Sequence, residues 1–149
     1  MKSALVTGAT GYIGANLTKK LIESGVSVAI IKRPQSVMDR LCKCKSELKM
    51  FDYNGSIDSL KQSIDKFQPD VIFHLAAYVI PRHNPNQVDK MIQSNIVFGT
   101  QLLEAMHLCG VDEIVNTSTS WQTPEGIVFK PYSLYTSLKQ AFEDILQFY

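Results

Sequence analysis

At 149 residues, with 45% hydrophobic and 19% charged side chains, the chain has the size and composition of one ordinary domain with a substantial core. A net charge of +1 supplies no broad basic field, which argues against nucleic acid or an anionic membrane as partner. No apolar run reaches the ~18–20 residues of a membrane helix, Met1-Lys2-Ser3 leads straight into a strand rather than a secretory signal, and three cysteines provide no disulfide framework, so the expected compartment is cytoplasmic.

Residues 3–7 read as a strand, and the stretch Thr7-Gly8-Ala9-Thr10-Gly11-Tyr12-Ile13-Gly14 follows. Strand, three glycines spaced three apart, then a helix describes a backbone folded around a phosphate: glycine lets main-chain N–H groups approach, and the helix N-terminus adds partial positive charge. The spacing G-x-x-G-x-x-G differs from the common G-x-G-x-x-G fingerprint. A helix over about 11–24 places Ile13, Leu17 and Leu21 on one stripe, and Gly25 suits its C-terminal cap. Residues 26–31 form a second strand, apolar nearly throughout as expected where both faces of a parallel sheet are covered.

Residues 35–46 carry few turn signals, and a short helix over 36–42 is expected. Cys42 and Cys44 lack the four-ligand spacing of a structural zinc site and read as ordinary thiols, so no metal is expected. Residues 48–51 make a weak third strand, Ser56 can cap the next helix with Leu60, Ile64 and Phe67 inward, and residues 71–77 make a fourth, apolar strand. His74 within it reads as a packed side chain. A long helix over about 86–108 presents Val88, Met91, Ile92, Ile96, Leu102, Leu103 and Met106 inward. A fifth strand lies within 112–116, a loop spans 121–132, and the last helix begins near Ser133 with Leu138, Phe142, Ile145 and Leu146 inward.

Alternating strands and helices predict an α/β Rossmann-like, doubly wound parallel sheet of about five strands. In such sheets ligands bind beyond the strands' carboxyl ends. The glycine turn, Lys32-Arg33, Asp52-Tyr53, Leu75-Ala76-Ala77 and residues 117–120 all fall at predicted strand C-termini. Tyr135 and Lys139, four apart, share a helix face. Alone they would read as a surface tyrosine and a solvated lysine; beyond a hydroxyl-rich strand end they read as chemistry. A phenol with a pKa of ~10 is a poor acid or base near neutrality, and a nearby ammonium is expected to lower that value. The tuned phenol then exchanges a proton with an oxygen on a carbon that gains or loses hydride, and Thr119 holds that oxygen.

Together the glycine turn, His74-Leu75-Ala76-Ala77, Asn95 within NIVFGT, Thr117-Ser118-Thr119 and Tyr135-Thr136-Ser137-Leu138-Lys139 resemble the extended short-chain dehydrogenase/reductase family, the nucleotide-sugar epimerase, dehydratase and 4-ketoreductase branch. The resemblance covers essentially the whole chain. It implies an NAD(P)-dependent enzyme, most similar to reductases and epimerases acting on nucleotide-linked 4-keto deoxy sugars, with a nucleotide-sugar substrate and room for a homodimer in the full-length family member. Carried over by residue, it implies Tyr135 as acid/base, Lys139 as its tuner and ribose ligand, and Thr119 as the catalytic hydroxyl. Gly8, Gly11 and Gly14 would hold the pyrophosphate, with Tyr12 and Ile13 beside it. Asp52 and Tyr53 would edge the adenine, Leu75, Ala76 and Ala77 would line the cofactor channel, and Asn95 would lie near the cofactor.

Two departures bear on this. NAD-dependent members usually carry an acidic residue at the end of the second strand; here Lys32 and Arg33 stand there, suiting a 2′-phosphate and favouring NADP(H) over NAD(H). The family's Tyr-Gly after the catalytic hydroxyl is replaced by Trp121-Gln122 nearby. Family members are also usually much longer, so residues 1–149 are expected to be an incomplete NAD(P)-binding domain, an N-terminal portion without its substrate lobe and weak in turnover alone. The rival readings are a non-catalytic NADP(H) sensor, and an inert remnant or assembly subunit.

Overall fold

The structure is a computed structural model, and it describes residues 1–122 and 130–149. Five parallel strands, β1 (Ser3–Thr7), β2 (Ser27–Lys32), β3 (Leu48–Asp52), β4 (Val71–His74) and β5 (Ile114–Asn116), form one sheet in the order β3-β2-β1-β4-β5. The order reverses between β1 and β4, which makes that seam the topological switch point. The register is nearly level at the carboxyl ends: Thr7 stands opposite Ile31 and His74, Lys32 opposite Asp52, and His74 opposite Asn116. One edge therefore gathers every strand terminus flagged in the sequence.

Strand alternation divides the core in two. Ala4, Val6, Val28 and Ile30 face the side covered by helix α1 (Tyr12–Glu23) and a 3-10 helix at Asp39–Glu47. Leu5, Ala29, Ile31 and Ile72 face the side covered by α2 (Ile57–Phe67), α4 (Phe98–Cys109) and α5 (Leu134–Phe148). Ser56 caps α2 by accepting from the Ser59 N–H at 3.2 Å, and Ser133 caps α5 in a capping box with Thr136.

Local details differ from the sequence reading in four places. The segment expected as a helix over 36–42 is the 3-10 helix Asp39–Glu47, which buries Leu41 and Cys44; residues three apart eclipse in that geometry. On α1, Ile13 is 66% exposed, and the inward face is Gly14, Ala15, Thr18 and Leu21. Strand β4 ends at His74, so residues 75–77 form a loop over the sheet edge. The helix expected over 86–108 is interrupted: a 3-10 turn (Pro85–Gln87) leads into α3 (Val88–Ile92), a π-helical turn (Gln93–Val97) and then α4. The inserted residue shifts the helical phase, so Ile92 turns outward at 38% exposure while Met91, Leu102, Leu103 and Met106 stay buried.

Phe142 of α5 packs against Gly99 of α4 so closely that a Cβ on Gly99 would lie 2.4 Å from the ring. The ring is 1% exposed and lies 5.1 Å, centroid to centroid, from the His74 imidazole. It ties α5, which carries Tyr135 and Lys139, to the sheet. Phe142→Ala is expected to lower unfolding free energy by about 3–5 kcal/mol, as read by equilibrium denaturation.

Candidate functional site

The glycine turn reverses the chain directly beyond β1. Gly8 has φ +69°, and a Cβ there would lie 2.6 Å from the Ala76 amide nitrogen. A Cβ on Gly14 would lie 2.2 Å from the Gly8 carbonyl oxygen, so α1 can approach the loop only without one. The Gly11 N–H donates to the Gly8 carbonyl at 3.0 Å, and Ala15 makes the first helical bond to Gly11. Gly11 is the N-cap, has no side chain to cap with, and no acidic residue occupies the first turn. The first-turn N–H groups thus lack a capping acceptor, the arrangement that receives an anion.

This turn opens into a cavity of about 480 Å³. Gly8, Gly11 and Thr10 form one wall; Lys32, Arg33 and Ser36 form the far end. Leu75, Ala76, Ala77 and Tyr78 come from the loop after β4, and Gln93 and Ser94 from the π-helical turn. Tyr53 also lines it, packing edge-on to Phe98 with centroids 4.8 Å apart and donating through its hydroxyl to Gln101 Oε1 at 2.5 Å. A glycine cradle that a Cβ would fill, an uncapped helix end, apolar walls and a basic far end together fit a dinucleotide.

Of the residues expected to hold the cofactor, Gly8, Gly11, Lys32, Arg33, Tyr53, Leu75, Ala76 and Ala77 line the cavity. Gly14 lies beneath the turn. Tyr12 and Ile13 stand outside at 74% and 66% exposure. Asp52 is directed to Lys32 instead of the cavity, with Lys32 Nζ 2.5 Å from its Oδ1. Asn95 is 4% exposed and holds the loop after β4: Oδ1 accepts from the Tyr78 N–H at 3.0 Å, and Nδ2 donates to the Tyr78 and Met91 carbonyls at 3.1 and 2.9 Å. Ser36 is legible as part of the turn after Arg33, whose N–H donates to its hydroxyl at 3.2 Å. Tyr78, Gln93 and Ser94 carry no signal in the sequence: the π-helical turn places Gln93 and Ser94, and Asn95 within it holds the Tyr78 backbone from across the chain.

Tyr135 and Lys139 are 7% and 4% exposed. The Tyr135 ring sits in an apolar cluster with Met91 and Leu138, against which Tyr78 of the cavity wall packs. Lys139 lies within electrostatic reach of His74 and Glu143. Its expected lowering of the tyrosine pKa is not what this arrangement produces. The two side chains are not hydrogen-bonded to each other, and burial pushes the Tyr135 phenol above its usual range. Burial also lowers the Lys139 ammonium, opposed by Glu143. Thr119 follows β5, its Oγ1 accepting from the Trp121 N–H at 3.4 Å. Among the described residues no cluster of three His, Cys, Asp or Glu side chains could hold a metal ion, and no helix is long and apolar enough to cross a membrane.

A profile of the NAD dependent epimerase/dehydratase family matches residues 4–149, and the chain belongs to that family. UDP-glucose 4-epimerase of Mycolicibacterium smegmatis is 29% identical to it over 157 residues, covering 97% of this chain and 50% of its own length. Protein CapI of Staphylococcus aureus is 31% identical over 157 residues, covering 93% of this chain and 47% of CapI. Among solved structures, the Thermus thermophilus UDP-glucose 4-epimerase complex with NAD superposes with a TM-score of 0.84 at 26% identity, covering 99% of this chain and 50% of that one. The Thermotoga maritima UDP-glucose 4-epimerase with UDP-glucose gives 0.85 at 25% identity, over 98% and 50%. The chain spans about half the length of the curated relatives it matches.

His74 offers a stability signature of this site. Its imidazole is 2% exposed, lies 2.9 Å through Nδ1 from Thr7 Oγ1, and is held down at about 3 by burial and then by the charge of Lys139. The unfolded chain takes up this proton near pH 6.5 and the folded chain only near pH 3, so the contribution is complete above 6.5 and is lost as pH falls. Unfolding free energy is expected to drop by up to about 1.4 kcal/mol per pH unit through that window. Denaturation at several pH values checks the slope, which His74→Gln should flatten.

Proposed function

We propose that this chain is the dinucleotide-binding portion of a nucleotide-sugar epimerase/dehydratase-type enzyme, a 4-keto-sugar reductase or epimerase for a nucleotide-linked deoxy sugar, preferring NADP(H) to NAD(H). The observation that carries this reading is one sheet edge holding both a glycine-cradled cavity and, beyond Tyr78, a buried tyrosine and lysine one turn apart on α5. Family membership and the likeness to UDP-sugar epimerases support the substrate class. Gly8, Gly11 and the first turn of α1 would hold the pyrophosphate, with Gly14 permitting the close approach. When bound, a nicotinamide cofactor would supply the hydride transfer.

Tyr135 serves as acid/base. A phenol held protonated by burial is suited to donate to a carbonyl oxygen as that oxygen gains charge. Lys139, one turn on, stabilises the phenolate left behind and binds ribose hydroxyls, and Thr119 holds the reacting oxygen by a hydrogen bond. The cofactor preference rests on Lys32, Arg33 and Ser36 at the far end of the cavity. Because Asp52 already pairs with Lys32, Arg33 carries most of the selectivity for a 2′-phosphate. A homodimer of the full-length protein is consistent with the same reading.

Calorimetric titration should show NADPH bound about tenfold more tightly than NADH, with Arg33→Ala removing most of the difference. A tenfold preference for NADH overturns the cofactor assignment. Made in a full-length relative, the change corresponding to Tyr135→Phe should leave dinucleotide binding intact while cutting turnover of a nucleotide-linked 4-keto sugar about 10²–10⁴-fold. Undiminished function in that variant would favour a dinucleotide sensor.

A further inference from the structure

The pair Trp121-Gln122 stands near the place of the family's Tyr-Gly, and Gln122 is 5% exposed in the 3-10 turn Ser120–Gln122. Its side-chain amide uses all four of its hydrogen-bonding positions. Oε1 accepts from the Ser118 hydroxyl at 2.6 Å and from the Thr119 N–H at 3.3 Å. Nε2 donates to Gln140 Oε1 at 3.1 Å and to Glu143 Oε2 at 2.9 Å. The orientation of the amide follows from its partners, because a backbone N–H only donates and an ionised carboxylate only accepts. The Gln122 main chain adds two further bonds, donating to the Thr119 carbonyl at 3.3 Å and accepting from the Lys130 N–H at 3.0 Å.

We propose that Gln122 is a positioning residue: its amide locks the loop carrying Thr119 onto the helix carrying Tyr135 and Lys139, and holds the Glu143 carboxylate one turn beyond Lys139. The catalytic meaning of this lock rests on the Thr119–Tyr135–Lys139 assignment above. Glu143 and Lys139 are four apart on α5, so they share a face. A buried amide with every bond satisfied has one geometry, and removing it strands Ser118, Thr119, Gln140 and Glu143 together.

The other titratable groups around Lys139 do not duplicate this role. His74 on β4 stays neutral, Tyr135 lies one turn back, and Glu104 on α4 is engaged by the Tyr149 hydroxyl at 2.8 Å. The π-helical turn packed against α5 contributes Gln93, Ser94, Asn95, Ile96 and Val97, none of them titratable.

The test compares the unmodified chain with Gln122→Met, Glu143→Gln and the exchanged pair Gln122→Glu/Glu143→Gln. The exchanged pair keeps one carboxylate and one amide but swaps their sites. Three readouts are taken: amide hydrogen exchange at Thr119, the titration midpoint of Lys139 followed on its ¹³Cε resonance, and NADPH affinity. Gln122→Met should speed Thr119 exchange about tenfold and move the Lys139 midpoint down, as Glu143 swings away. Glu143→Gln should lower the midpoint at least as far, and the exchanged pair should return both readouts toward the unmodified values.

Unchanged Thr119 exchange in Gln122→Met overturns the lock. Faster exchange with an unmoved Lys139 midpoint overturns the positioning role and leaves Gln122 as scaffold. Failure of the exchanged pair to restore a folded chain's readouts likewise counts against it. Absence of NADPH and NADH binding by the unmodified chain defeats the proposed function instead, and the Thr119 and Lys139 readouts still decide the lock.

Discussion

The Gly8 carbonyl occupies the space a side chain on Gly14 would need, and the Ala76 amide occupies the space a side chain on Gly8 would need. These two contacts seat α1 against the sheet at the seam between β1 and β4. Thr7 closes the seam from below: its Oγ1 accepts from the Ala76 N–H at 3.3 Å and meets His74 Nδ1. The cavity exists because backbone, not side chains, fills this corner. Its anion-receiving character follows from the same geometry, since the helix begins at a glycine without a capping side chain.

The second half of the site depends on a departure from regular helix. One π-helical turn moves Gln93 and Ser94 into the cavity wall and buries Asn95, whose amide grips the Tyr78 backbone at both its N–H and its carbonyl. Tyr78 then faces the cavity on one side and the Tyr135 cluster on the other. Such turns leave the local backbone with altered hydrogen bonding and occur often at functional sites. Here the turn couples the glycine-cradled cavity to the helix that bears Tyr135 and Lys139.

Charge is distributed differently in the two halves. At the far end of the cavity, Lys32 is mostly buried while its partner Asp52 is 56% exposed, so solvent screens the pair and its contribution to stability is small. Lys139 is buried, so solvent screens its charge far less. There burial disfavours the ammonium, and the lysine charge in turn helps keep His74 neutral. A sequence reading based on proximity alone expects the lysine to act first on Tyr135; burial reverses the direction for the phenol.

The sequence by itself determined the sheet, the strand ends that gather at one edge and the glycine turn. Those features follow from local constraints: short strands apolar nearly throughout, capping residues such as Ser56 and Ser133, and glycines at close backbone approaches. It also marked Tyr135 and Lys139, because four-residue spacing on a helix needs no tertiary information. What only the tertiary structure decided is which of these groups meet. The π-helical turn, the outward phase of Ile92 and Ile13, the engagement of Asp52 by Lys32, and the joining of Gln122 to Gln140 and Glu143 all depend on contacts between elements distant in the chain. Local propensity carries no record of such contacts, since their energies come from burying and satisfying polar groups that meet only when the sheet and both helical layers have packed.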